Sequence, residues 1–286
     1  MSGKMDKSAV NAMLFPVASP IKVKSLVEWC DAHNDPSTFR EGLVIKEGNR
    51  IGATLVCAGD GPDMVAYGKD KFWNWALSII SAAEGRNIYM VDSNHAPEKW
   101  LKEMFAPWPN IKIAQFWEFE LPNGLVVHVR HGHEFFVDWY FLRWIAPPVT
   151  NFLCHRFPGQ WYWIANKMGW QPGMGPMTEE RYHIVVDRIW SNMTKLALER
   201  SKELSKTVVV LSAHTHAIGI LRGAFHGVLR VLHADSGTVA IGSYIEVTDE
   251  VRLKRLDPDV IAGGDSEDLI KPNIFGGRAY ESGITL

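Results

Sequence analysis

Thr207-Val-Val-Val-Leu-Ser-Ala-His214-Thr-His216 is the stretch on which the fold turns. Its continuous apolar run, Val208 to Leu211, predicts a strand buried on both faces, as strands of parallel sheets are. The run leads straight into two histidines separated by one residue. Open α/β sheets bind ligands at the carboxyl ends of their strands, which places this pair where a site is expected. A lone His-x-His is weak evidence. Its weight depends on what other strands bring to the same edge.

Working outward, the same grammar recurs. Val23 to Cys30 predicts a strand ending at Asp31-Ala-His33, and Ala53 to Ala58 one ending at Gly59-Asp60-Gly-Pro-Asp63. Asn87 to Val91 delivers Asp92-Ser-Asn94-His95, and Leu125 to Val129 ends at Arg130-His131-Gly-His133. Ile111 to Phe119 predicts one further strand, joined to Leu125–Val129 through Asn123-Gly124, a strong hairpin signal. Helices are expected between the strands. The first is capped by Ser37 and runs to about Glu47, with Phe39, Leu43 and Lys46 on one face and Gly48 as its stop. The next spans Lys71 to Ala83 with Phe72, Trp75 and Ile79 at helical spacing; a short one over Glu98–Phe105 is opened by Pro97. A long one covers Thr178 to about Ser205, and β-rich segments follow at Leu229–Leu232, Thr238–Val247 and Val251–Leu256.

Composition narrows the classes. The chain has 286 residues, 47% of them hydrophobic and 22% charged, ordinary for a globular protein. A net charge of −2 argues against general, salt-driven binding to nucleic acid. Three cysteines, Cys30, Cys57 and Cys154, cannot all pair and show no C-x-x-C spacing, so a reducing, cytoplasmic compartment is expected. Met1 to Asn11 lacks the apolar core of a signal peptide, and Asp138, Arg143 and Pro147-Pro148 interrupt the most apolar stretch, Phe135 to Cys154. Of 12 tryptophans, Trp139, Trp144, Trp161, Trp163, Trp170 and Trp190 fall in one segment.

Five expected strand ends thus carry metal-type side chains: Asp31 with His33, Asp60, Asn94, His131, and His214 with His216. Two cations about 3.5–4 Å apart clamp a phosphate and lower the pKa of a bridging water, which is what phosphate-ester hydrolysis at neutral pH requires. A carboxylate between them is a natural role for Asp60. Mixed imidazole and carboxylate donors suit Mn, Fe or Zn better than Mg.

The ordered set D-x-H, G-D-x-x-D, N-H, H-G-H and A-H-x-H resembles the calcineurin-like metallophosphoesterase superfamily, over roughly residues 22–247. That resemblance implies a four-layer α/β/β/α sandwich in which Asp31, His33 and His216 hold one metal. Asn94, His131 and His214 would hold the second, with Asp60 between the two, and His95 would contact the phosphate or help protonate the leaving oxygen. The implied division is a lead-in over 1–21, a phosphoesterase domain over 22–257 with a helical cap inserted at about 134–205, and a polar tail over 258–286. The block His131-Gly-His-Glu-Phe-Phe-Val-Asp138, an aromatic insertion and then His-x-His is similar in layout to the UDP-2,3-diacylglucosamine diphosphatases. A Trp-rich cap suits a phosphate ester bearing an acyl or an aromatic group, and peripheral contact with a membrane surface. The expected reaction is attack by a metal-bridging hydroxide on a phosphomonoester, phosphodiester or pyrophosphate. A nucleotide or nucleic-acid phosphodiesterase, and a non-catalytic binding protein on the same fold, are the alternatives.

The chain departs from the family pattern at four positions. Ser93 stands for the usual Gly before Asn94, Ala96 for the acidic residue after His95, His133 for an Asp and Ala213 for a Gly. Plainer readings also exist. Ser25-Leu-Val-Glu28 has the form of a helix capping box, which would place Asp31 and His33 on a helix. Asp60 and Asp63 can be turn formers, Asn94 and His95 a helix cap, and His131 and His214 core histidines. His133 is open between orienting a ligand and filling a loop, while His128 is expected to be structural or superficial.

Overall fold

The computed structural model describes residues 19–30, 38–62, 64, 72–93, 95–133, 152, 156, 179–214, 219–222, 229–232, 243–255 and 284–285. Four short apolar runs, β2 (Leu26–Trp29), β3 (Thr54–Cys57), β4 (Ile88–Val91) and β5 (Ile111–Ala114), pair side by side in parallel. Parallel neighbours need a crossover that returns the chain to the same end, and helices supply it. These are α1 (Thr38–Ile51), α2 (Trp73–Ala83) and α3 (Glu98–Phe105). Antiparallel β11 (Ser243–Val247), β12 (Glu250–Arg255) and β13 (Ile284–Thr285) extend this sheet beyond β2.

The second sheet runs β1 (Ile21–Lys22), β6 (Trp117–Glu120), β7 (Val126–Arg130), β8 (Val208–Ser212), β10 (Leu229–Leu232), β9 (Gly219–Arg222). The 26-residue helix α4 (Glu179–Leu204) leads into β8, which lies parallel to β7.

Alternation along each strand sorts side chains into layers. On β3, Leu55 and Cys57 pack with Val44 and Ile45 of α1 and Trp75 and Ile79 of α2, whereas Val56 turns the other way. On β8, Val208 and Val210 pack on Met193, Leu196 and Ala197 of α4. Val209 and Leu211 meet Val56, Val127 and Val129 between the sheets. The result is the expected α/β/β/α stack. Each fully buried Val, Leu or Ile contributes about 1.5–3 kcal/mol, and the Val-Val-Val-Leu run of β8 is buried on both faces.

The structure corrects several local expectations. Gly48 does not stop α1. The helix passes through it to Ile51, and Gly52, at φ +72°, follows. A Cβ on Gly48 would lie 2.5 Å from Leu55 Cδ2, so this glycine lets the helix approach the sheet. The buried face of α1 carries Glu41, Val44, Ile45 and Gly48, while Lys46 is exposed. The single strand expected over Ile111–Phe119 is two, in different sheets, with Gln115-Phe116 passing between them. The first strand begins at Leu26, not Val23, and Ile21–Lys22 pairs with the other sheet. Its extended form over Leu26–Trp29 removes the capping-box reading there. Strand β9 was not expected, and within the C-terminal tail Ile284–Thr285 pairs as an edge strand. Most of the expected cap lies outside the described residues, apart from α4.

One polar cluster pins α4 to its sheet. Arg200 donates from Nε to Glu118 Oε1 (2.8 Å) and from Nη2 to Oε2 (2.6 Å), while His128 Nδ1 donates to Glu118 Oε1 (2.9 Å). Burial alone would raise the Glu118 carboxyl. The hydrogen bonds and charges of His128 and Arg200 outweigh it and bring it down to about 2. His128 is fully buried, and burial pushes its imidazole below the usual histidine range. No helix among the described residues is long and apolar enough to cross a membrane.

Candidate metal centre

The strand ends bring three of the expected ligands together. Asp60 follows β3, His131 follows β7 and His214 follows β8. One donor atom from each lies within 4.8 Å of the others. All three are buried. Because β3 belongs to one sheet and β7 and β8 to the other, the cluster sits where the carboxyl ends of both sheets converge.

His131 is aimed by its second nitrogen. Nδ1 lies 3.0 Å from the Ala58 carbonyl, and a carbonyl only accepts, so Nδ1 carries the proton. The lone pair of Nε2 then faces Asp60 Oδ2 at 3.1 Å. Two acceptors this close and this buried need a positive centre between or upon them. A divalent cation supplies one, and a carboxylate with two imidazoles is a donor set that Mn, Fe or Zn accepts. The backbone locks the arrangement. Ser212 Oγ (3.1 Å) and the Ala213 N–H (2.8 Å) both donate to the His131 carbonyl, joining the ends of β7 and β8.

Two of these three expected ligands sit in strained backbone. Asp60 has φ +49° and His214 φ +73°, a region costing non-glycine residues of order 1–3 kcal/mol, though Asp and His enter it more readily than most. Gly59, at φ +104°, lies directly against the His131 ring: a Cβ there would be 2.6 Å from Nδ1. Gly132, at φ +105°, has no room for a Cβ beside Ser212 Oγ.

The remaining expected residues fall as follows. His95 is partly buried beside the cluster, and its backbone N–H donates to Asp60 Oδ1 at 3.4 Å. Asp31, His33, Asn94 and His216, together with Asp63, lie outside the described residues. Ser93 accepts the Ala96 N–H on its hydroxyl (2.9 Å), a bond that glycine could not make. Ala96 is buried among apolar side chains, so no carboxylate stands behind His95 at that position. His133 adds a third imidazole, its ring centroid 5.5 Å from that of His131 and 6.4 Å from that of His214.

A buried carboxylate missed in the sequence is Glu41, which accepts from Trp29 Nε1 (3.1 Å) and Trp75 Nε1 (2.6 Å). The available signal was an acid three and four residues before Val44 and Ile45, in line with an apolar helix stripe.

No family model and no curated protein matches the chain. Several solved structures are similar to it. A conserved protein and predicted phosphoesterase from Streptococcus pneumoniae is 15% identical, with 83% of this chain and 91% of that one covered, at a TM-score of 0.35. An archaeal phosphodiesterase is 13% identical, with 81% and 99% covered, at 0.37. Vacuolar protein sorting 29 from Cryptosporidium parvum is 12% identical, with 82% and 92% covered, at 0.38. At scores this low the likenesses carry no weight for function, and the layered architecture stands on the chain's own topology.

Proposed function

We propose that this chain is a metal-dependent phosphoesterase working at the Asp60–His131–His214 cluster. The observation that carries the reading is the His131 imidazole, fixed by Ala58 so that its Nε2 lone pair confronts the Asp60 carboxylate at 3.1 Å in a buried site. Divalent cations held there, Mn in the first instance, would supply Lewis acidity toward a phosphoryl oxygen and lower the pKa of a bound water. The chain's own residues do the rest. Asp60 offers two carboxylate oxygens, one toward His131 and one toward the His95 amide. His131 and His214 offer imidazole nitrogen donors whose positions are set by two neighbouring parallel strands of one sheet. His95 is held next to Asp60 by its own backbone, where its imidazole can contact a phosphate oxygen or the leaving group.

Asn94 would complete this set, and Asp31, His33 and His216 would hold a second ion. The substrate is proposed to be a phosphomonoester, phosphodiester or pyrophosphate, with an acyl or aromatic group received by the Trp-rich segment. The UDP-diacylglucosamine layout makes a lipid-linked nucleotide the first member of that class to try. The protein loaded with Mn²⁺ is expected to hydrolyse an aryl phosphodiester, and Asp60→Ala to abolish turnover. Metal binding without turnover on aryl, nucleotide or lipid phosphates would support a second reading, a non-catalytic binding protein. Ala96 favours that reading, because an apolar residue stands where the family pattern has an acidic one.

A further inference from the structure

Two tryptophans hold the buried Glu41 carboxylate, and each lies next to a stretch expected to carry metal ligands. Trp29 is the last residue of β2, two positions before Asp31. Its carbonyl accepts the Ala58 N–H (2.8 Å), the residue whose own carbonyl orients His131. Trp75 lies on α2 directly beneath the Asp60 loop: a Cβ on Gly61 would be 2.5 Å from Trp75 Cζ2. Each indole N–H donates to a different oxygen of Glu41.

We propose that Glu41 is a positioning residue of the metal centre, fixing through two indoles the floor under the Asp60 loop and the end of β2. The proposal rests on the phosphoesterase reading of that centre. It follows from donor chemistry. Both carboxylate oxygens of Glu41 are occupied by indole donors, so neither tryptophan can rotate without losing a buried hydrogen bond. Glutamine has one acceptor oxygen and an NH₂ group. In its place one indole N–H would face another donor, and that ring would shift. The Trp75 ring occupies the space that a Cβ on Gly61 would need, so a ring displaced further toward Gly61 presses on the Asp60 loop. Displacing a partner behind a metal ligand lowers metal affinity by about 10–100-fold.

The test is Mn²⁺ binding by the full chain, measured by titration calorimetry, beside thermal unfolding. Glu41→Gln is expected to weaken the Mn²⁺ Kd by tenfold or more. Val44→Ala, which removes volume from the same face of α1, is expected to lower the melting temperature and leave the Kd unchanged. If Glu41→Gln shifts the Kd no further than Val44→Ala does, the positioning role is overturned. Should Glu41→Gln not fold, Trp75→Phe keeps a ring under Gly61 and removes one donor. An unaltered Kd in that variant overturns the proposal equally. If the wild-type chain binds no Mn²⁺, the phosphoesterase reading itself fails, an outcome distinct from a variant that binds as well as wild type.

Discussion

Replacing Gly59 by alanine probes the proposed metal centre without replacing any of its side chains. At φ +104° any side chain is strained, at a cost of roughly 1–3 kcal/mol. The new Cβ would also lie 2.6 Å from His131 Nδ1 and 2.8 Å from Cγ. Those contacts are too short to keep, and the ring can relieve them only by leaving the Ala58 carbonyl. A buried hydrogen bond lost in this way costs a further ~1–3 kcal/mol. Gly59→Ala is therefore expected to destabilise the fold by about 2–6 kcal/mol and to weaken Mn²⁺ binding by about 10–100-fold. Gly52→Ala is the control. Gly52 has φ +72° with nothing within 4 Å of the added Cβ, so it carries backbone strain alone. It should lower stability in urea unfolding followed by tryptophan fluorescence, and leave metal affinity as it was. If Gly59→Ala binds Mn²⁺ as tightly as Gly52→Ala, the claim that His131 is aimed through Ala58 is wrong.

Other perturbations report on the rest of the molecule. The Glu118 carboxyl, held at about 2 against an ordinary 4.5, is a depressed acid, so its stabilisation is present above pH 4.5 and lost as pH falls toward 2. That amounts to about 3 kcal/mol before solvent screening reduces it. Depressed His128 acts in the same direction below its ordinary 6.5, and Glu118→Gln should flatten the acid limb of a stability–pH curve. Placing an acid at position 96 with Ala96→Asp is expected to cost about 2–4 kcal/mol in urea unfolding, because the position is packed among apolar side chains. Gly48→Ala would gain about 1 kcal/mol in an exposed helix, yet here it should destabilise, since its Cβ would strike Leu55.

What was legible in the sequence is what burial and periodicity write plainly. The doubly buried β8, the Asn-Gly hairpin and the exact limits of α3 all follow from local pattern. The strand ends bearing Asp60, His131 and His214 could be read because each follows an apolar run. Local pattern does not record which sheet a strand joins. Ile111 to Phe119 looks continuous, and only the pairing of β5 with β4 and β6 with β7 divides it. The role of Gly48 was equally hidden, since a glycine that ends a helix and one that lets a helix approach a sheet have the same local sequence. Glu41 escaped because its partners, Trp29 and Trp75, lie 12 and 34 residues away.

Metal content tests the central claim most directly. Titrating the full chain with Mn²⁺ is predicted to give saturable binding at micromolar levels, approaching two ions per chain, with Asp60→Ala, His131→Ala and His214→Ala each losing affinity. A wild-type chain that binds no divalent cation at those concentrations, or an Asp60→Ala variant that binds as wild type does, would contradict it.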